Sequence, residues 1–185
     1  MTLNSDYTNI FETKIMVFDF DGVIIDSTEV KVDEYRNLFS QFTKNKTTLN
    51  EITNIYKNSA GIPRETTLKK VFKEVLAINI SNHEVDNLSL DFSKQIFRRL
   101  EAIEPLKGFL EYLAIHKKIN KHIISGAPNS DVTYLIKKLN LSKYFLSIKG
   151  GPLNKKNEII NIMKLGKVKA QDIVYFGDQK NDCIA

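Results

Sequence analysis

Cysteine is almost missing from this chain: Cys183 is the single one among 185 residues, so no intrachain disulfide can form and the usage suits a reducing cytoplasm. There is no apolar run approaching membrane-spanning length, and the polar amino terminus lacks the apolar core of a signal peptide. Internal repeats and low-complexity linkers are absent too, as is any stripe of interleaved aromatic and basic residues that would argue for nucleic acid. The expectation is a cytoplasmic protein with no nucleic-acid or membrane partner, a monomer or weak homodimer.

What is present is ordinary for a globular fold: 42% hydrophobic and 26% charged residues, in a chain long enough to bury a good core as one domain or a domain with an insertion. The net charge of +5 comes from lysines spread along the chain, among them Lys44 and Lys46, Lys69 and Lys70, Lys117 and Lys118, Lys137 and Lys138. Such pairs read as solvated helix faces, and their mild positive field helps draw in an anionic substrate.

The informative stretch runs from Lys14 to Ser27. Ile15 to Phe18 is a short apolar run rich in β-branched and aromatic types, the pattern of a strand buried on both faces in a parallel sheet. It stops at Asp19, and Asp21 follows two residues on, so both acids lean to one side while Phe20 goes to the other. Gly22 then permits a sharp exit from the strand. Taken alone, the two acids also admit a second, lesser reading as a polar strand end whose acids cap the next segment.

From 28 to about 103 the pattern is helical throughout. Val32, Tyr35, Leu38, Phe39 and Phe42 share one helical face behind Asp26 or Ser27 as cap, with Asp26 read as structural. Thr48 with Glu51 has capping-box spacing ahead of Leu49, Ile52, Ile55 and Tyr56, and Ser81 with Glu84 repeats it ahead of Val85, Leu88, Phe92, Ile96 and Leu100. Between them Gly61-Ile62-Pro63 breaks the pattern, and Pro63 opens a helix on Leu68, Val71, Phe72, Val75 and Leu76.

From Pro105 helices and strands alternate. Helices are expected on Leu106, Phe109, Leu110 and Leu113, on Val132, Leu135, Ile136 and Leu139, and on Ile159, Ile160 and Met163. The strands expected between them are His122–Ile124, ending at Ser125-Gly126; Phe145–Ile148, ending at Gly150-Gly151-Pro152; and Ile173–Phe176, ending at Gly177-Asp178. This is the grammar of an α/β fold, a doubly wound, Rossmann-like parallel sheet. The core is expected over 1–27 and 104–185, with 28–103 an inserted helical cap lying over the strand ends.

If those ends converge, Asp19, Asp21, Asp178 and Asp182 share one pocket. Like charges about 4 Å apart repel by about 4 kcal/mol at an effective dielectric near 20, so cations must lie among them. Hard oxygen donors with open positions suit Mg²⁺, a lysine such as Lys155 or Lys156 would neutralise the rest, and Ser125 with Gly126 can hold phosphoryl oxygens. Without its neighbours, Ser125 reads equally as a helix-cap or turn serine.

On these residues the chain resembles the haloacid dehalogenase superfamily phosphatases with a helical cap after the first strand, of phosphoglycolate phosphatase or beta-phosphoglucomutase type. Asp19-Phe20-Asp21-Gly22-Val23 with Asp26-Ser27 resembles the family's first motif, Ile123-Ile124-Ser125-Gly126 its second, and Gly177-Asp178 with Asn181-Asp182 its fourth. The third is little more than a lysine.

The resemblance implies a Mg²⁺-dependent phosphatase acting on a small phosphorylated metabolite, a sugar phosphate or phosphoglycolate-like acid. It implies Asp19 as nucleophile, Asp21 as general acid and base, and Ser125 with a lysine on the transferring group. Lys156 is preferred, because Glu158, Ile160 and Met163 then fall at the offsets of the following helix, with Lys155 the alternative. Metal ligation is implied for Asp19, Asp21 through its main-chain carbonyl, Asp178 and Asp182, with Gly22, Gly126 and Lys155 as further phosphate contacts; Arg64, beside the Gly61-Ile62-Pro63 break, reads first as a surface arginine and is the one candidate for substrate contact.

Other readings stand beside it: a phosphomutase of the same superfamily, and a non-catalytic, phospho-accepting acidic module. A dehalogenase is disfavoured by Asp21 and the Asp178 pair. The chain ends at Ala185, just past the fourth motif, where relatives continue through a helix and a further strand, so a missing last segment is expected. His83, His116 and His122 match no motif.

Overall fold

A computed structural model of the chain describes residues 13–59, 62–100, 102–151, 154–179 and 182. Gly61, Pro152, Asn181 and Cys183, all of which enter the sequence reading, lie outside the described residues. In chain order the elements are β1 (Ile15–Phe18), α1 (Thr28–Phe39), α2 (Lys46–Lys57), α3 (Arg64–Glu74), α4 (Asn82–Arg99), α5 (Phe109–Ile115), β2 (Asn120–Ser125), α6 (Asn129–Lys138), β3 (Ser147–Gly150), α7 (Lys155–Gly166) and β4 (Ile173–Phe176). The described residues up to Ile25, with those from Pro105 onward, form one compact unit; those from Asp26 to Glu104 form another.

The first unit is α/β. Its four described strands are parallel in the order β3-β2-β1-β4, with Phe18 opposite Ile123 on one side and Phe176 on the other. Period-two alternation sends Met16 and Phe18 to one face of the sheet and Ile15 and Val17 to the other. On the first face the Phe18 ring stacks on Phe176 at 4.7 Å and meets Phe109, Tyr112 and Phe145 edge-on at 5.6, 6.4 and 6.1 Å. On the second, Ile15, Val17, Ile124 and Ile162 form a cluster against which Ile159, Val168, Ile173 and Tyr175 pack. Phe109 and Tyr112 belong to α5 and Ile159 and Ile162 to α7, so helices cover both faces, as a doubly wound sheet requires.

The chain steps outward from β1 to β2 and β3, and α7 then carries it back to β4 on the far side of β1. The strand order therefore reverses between β1 and β4. In open α/β sheets the crevice at the carboxyl ends of such strands is where ligands bind.

The second unit is four helices around aromatic rings. Tyr35 stacks on Tyr56 at 4.2 Å and meets Phe39 and Phe92 at 5.0 and 5.7 Å; Phe39 in turn meets Phe72 at 5.3 Å. Arg99 on α4 donates to Glu34 on α1 at 2.7 Å, tying the two helices together. The capping box of Ser81 and Glu84 forms at the start of α4 as its spacing predicts.

Local expectations are corrected in several places. Asn45, not Thr48, caps α2, its side chain accepting from the Thr47 and Thr48 N–H groups at 2.9 and 3.2 Å. Phe42 falls beyond the end of α1 and is 40% exposed, with its ring edge-on to Phe72. The third strand starts at Ser147, because Phe145 turns its ring into the Phe18 cluster. On α7 the buried residue is Ile162, whereas Ile160 is 36% exposed. Among the described residues no helix is long and apolar enough to cross a membrane.

Candidate active site

Asp19 leaves β1 at its carboxyl end and, by strand parity, on the face of Ile15 and Val17, which is the face α7 covers. Its backbone continues the ladder, with Asp19 N–H donating to the Phe176 carbonyl at 2.8 Å. The turn behind it is closed by Gly22 N–H on the Ile25 carbonyl at 2.8 Å and Ile24 N–H on the Phe20 carbonyl at 2.9 Å. Gly22 has φ of 75°, and a Cβ there would lie 2.6 Å from Asp178 Cγ, so only glycine lets the first turn and the Asp178 carboxylate pass so close. Gly177 is under the same constraint from Asp182, whose Cγ would be 2.5 Å from an added Cβ.

These close approaches bring together acids from the two ends of the unit. Oxygens of Asp19, Asp178 and Asp182 all lie within 4.8 Å of one another, Asp19 buried, Asp182 half-buried and Asp178 exposed. Lys155 bridges two of them, its Nζ 2.6 Å from Asp19 Oδ2 and 2.5 Å from Asp182 Oδ1. Asp19 Oδ1 accepts from the Phe20 N–H at 2.6 Å, Asp182 Oδ2 from the Gln179 N–H at 3.0 Å, and Asp178 Oδ2 from Gln179 Nε2 at 2.7 Å.

Lys155 reaches the cluster because the Asn154 side chain accepts from the Asn157 N–H and fixes where α7 starts. Lys155, Ile159 and Ile162 then share one stripe, spaced four and three residues apart, and Ile159 and Ile162 belong to the core behind Asp19. Lys156, one residue on, is turned away and exposed. The structure thus brings Lys155, and not the preferred Lys156, to the carboxylates.

The electrostatics of the cluster all have one sense. Burial pushes the Asp19 carboxyl above the ordinary carboxylate range, and the Lys155 charge pulls it only part of the way back. Burial alone would push the Lys155 ammonium down, but the Asp19 charge and the bonds to Asp182 and Asp19 outweigh it and hold the group above its usual value. Three carboxylates against one ammonium leave two formal negative charges, so the cluster retains positive charge wherever it can. Its donors are hard oxygens, one set of which is open to solvent at Asp178, the chemistry that suits Mg²⁺.

The remaining expected residues are placed as follows. Ser125 is the last residue of β2, beside β1 at the same end of the sheet; it is 1% exposed and its Oγ accepts from the Ala127 N–H at 3.2 Å. Gly126 follows it, exposed. Asp21 is half-buried in the turn after β1, where it bridges to Ile25, and is not one of the three clustered carboxylates. Arg64 belongs to the helical unit, where it donates to the Ser89 carbonyl at 3.1 Å and Ser93 Oγ at 2.6 Å and lies 4.8 Å from the Phe92 ring centre.

One residue escaped the sequence reading. Tyr175, on β4, directs its hydroxyl to Asp182 Oδ1 at 3.2 Å and its ring beneath the Lys155 ammonium at 5.7 Å. Strand parity could have found it, since it lies two residues from Gly177 on the α7 face.

Comparison with known proteins bears on the same residues. Phosphoglycolate phosphatase 1 of Pseudomonas aeruginosa is 21% identical over 184 residues, covering 93% of this chain; the chain spans 65% of that protein's length. A phosphorylated carbohydrates phosphatase of Thermotoga maritima is 22% identical over 173 residues, covering 90% of this chain and 76% of the relative. In fold, the chain is similar to CbbY of Rhodobacter sphaeroides, crystallised as a mutant with xylulose-(1,5)bisphosphate, at a TM-score of 0.70 and 11% identity over 91% of this chain and 79% of the other. The family model for haloacid dehalogenase-like hydrolases matches residues 16–185, nearly the whole chain and every strand end described above, and the chain belongs to that family.

Proposed function

We propose that the chain is a Mg²⁺-dependent phosphatase that hydrolyses a small cytoplasmic phosphomonoester, a sugar phosphate or phosphoglycolate-like acid, through an aspartyl phosphate on Asp19. The observation that carries this reading is the meeting of Asp19 with Asp178, Asp182 and Lys155, drawn from the two ends of one folded unit. The activities named for the Pseudomonas and Thermotoga relatives support the substrate class.

In this reading the Asp19 carboxylate attacks phosphorus and the ester oxygen leaves with a proton from Asp21. Asp21, now ionised, takes a proton from water as that water attacks the aspartyl phosphate, releasing inorganic phosphate and restoring Asp19. Lys155, the Ser125 hydroxyl and the backbone N–H groups around Gly22 and Gly126 hold the phosphoryl oxygens, where charge stabilisation and positioning do most of the catalysis. The cation would be held by Asp19 and Asp178, with the Asp21 carbonyl and Asp182 in support. It supplies the charge that lets an anionic nucleophile approach an anionic phosphate.

The test is p-nitrophenyl phosphate turnover with and without Mg²⁺, in the wild-type chain and in Asp19→Asn. The expected result is metal-dependent turnover that falls on the order of a thousandfold or more in the variant while its circular dichroism is unchanged. Turnover indifferent to Mg²⁺, or retained in Asp19→Asn, contradicts the reading. Isomerisation of a sugar phosphate without release of inorganic phosphate would replace it with the mutase.

A further inference from the structure

Asp182 is held more completely than its neighbours. Oδ2 accepts the Gln179 N–H at 3.0 Å, Oδ1 takes the Lys155 ammonium, and its own N–H donates to the Gln179 carbonyl at 3.0 Å. The side chain is 4% exposed. Tyr175, half-buried against the cluster of Ile15, Val17, Ile124 and Ile162, adds a further donor to Oδ1.

We propose that Tyr175 is a positioning residue of this site: its hydroxyl fixes the Asp182 carboxylate, so that Asp182 holds the Lys155 ammonium in place beside Asp19. The inference rests on the metal-dependent reading above. The hydroxyl has one proton and two acceptors within reach, Asp182 Oδ1 at 3.2 Å and the Ile124 carbonyl at 3.5 Å. The nearer and charged acceptor wins it. The ring packs against the Ile15, Val17, Ile124 and Ile162 cluster, which sets where the hydroxyl lies.

The consequence concerns competition for the carboxylates. Lys155 and a divalent cation both seek Asp19, and while Asp182 stays fixed it keeps a share of the ammonium. With the hydroxyl removed, Asp182 is tethered on Oδ1 by Lys155 alone; the pair loosens, and the ammonium competes more fully for Asp19. Residues that orient charged ligands in this way commonly influence metal affinity tenfold or more.

Tyr175→Phe keeps the ring and removes only the oxygen. The experiment is Mn²⁺ titration by electron paramagnetic resonance of the whole chain as wild type, Tyr175→Phe, Asp182→Asn and the double variant, with a thermal melt of each. We expect Tyr175→Phe to bind Mn²⁺ on the order of tenfold more weakly at an unchanged melting temperature. We also expect the loss to vanish in the Asp182→Asn background, because the hydroxyl acts through that carboxylate. Wild-type affinity in Tyr175→Phe, a loss equal in both backgrounds, or a lowered melting temperature with affinity intact overturns the role of Tyr175. A folded wild-type chain that binds no Mn²⁺ overturns the metal-dependent reading itself.

Discussion

The two units of the chain differ in the polar groups they bury most deeply around their cores. In the α/β unit they are charged and paired: Asp19 is 6% exposed on Lys155, and Lys121, 2% exposed, donates to the His116 and Ile119 carbonyls at 2.5 and 2.8 Å. In the helical unit the Tyr35 hydroxyl is buried with no hydrogen-bond partner among the described residues, while Arg99 meets the buried Glu34 from a half-exposed position. Both units pack aromatic rings, but the helical one leaves a polar atom unsatisfied. The α/β unit accepts the desolvation cost of charges, at Lys121 near the start of β2 and at Asp19 at the carboxyl end of β1.

The comparison breaks most sharply at the paired charges. Lys155→Ala is expected to reduce the proposed phosphatase turnover on the order of a hundredfold or more, leaving Asp19 and Asp182 without their ammonium, while Lys156→Ala stays within about twofold of wild type. Parallel kinetics of the two variants check this, and equal effects would erase the distinction between the helix faces.

Next in size are the cores. Phe18→Ala empties the centre of four ring contacts and is expected to cost about 3–5 kcal/mol of stability. Tyr35→Phe in the helical unit goes the other way and is expected to stabilise by about 1 kcal/mol, since it deletes an unsatisfied hydroxyl and keeps the ring stack. Urea denaturation of both variants tests the contrast; a destabilised Tyr35→Phe would mean that the hydroxyl has a partner in solution. The smallest effect is at a helix end: Asn45→Ala is expected to cost about 1 kcal/mol and Thr48→Ala a few tenths, measured by the same unfolding curves.

The strands were legible because they are short, apolar and closed by residues of unusual chemistry: Ile15–Phe18 before Asp19, and Ile173–Phe176 before Gly177-Asp178. The Ser81 and Glu84 capping box was legible because both partners lie in one local pattern. What could not be read was phase. Asn45 and Thr48 are both good caps three residues apart, and only the folded chain shows which carbonyls begin α2. The same uncertainty at Asn154 decides whether Lys155 or Lys156 meets Asp19, because one residue rotates a helix by about 100°. Tyr175 was hidden for a different reason: a tyrosine in a buried strand reads as packing until its neighbours are known.

The central claim is that acids distant in sequence form one site for a divalent cation, and calorimetric titration of Mg²⁺ into the wild-type chain and Asp178→Asn tests it most directly. The account predicts a single site in the wild type and an affinity about tenfold weaker, or lower still, in the variant. A folded wild-type chain that takes up no Mg²⁺, or an affinity that is the same in both, would contradict it.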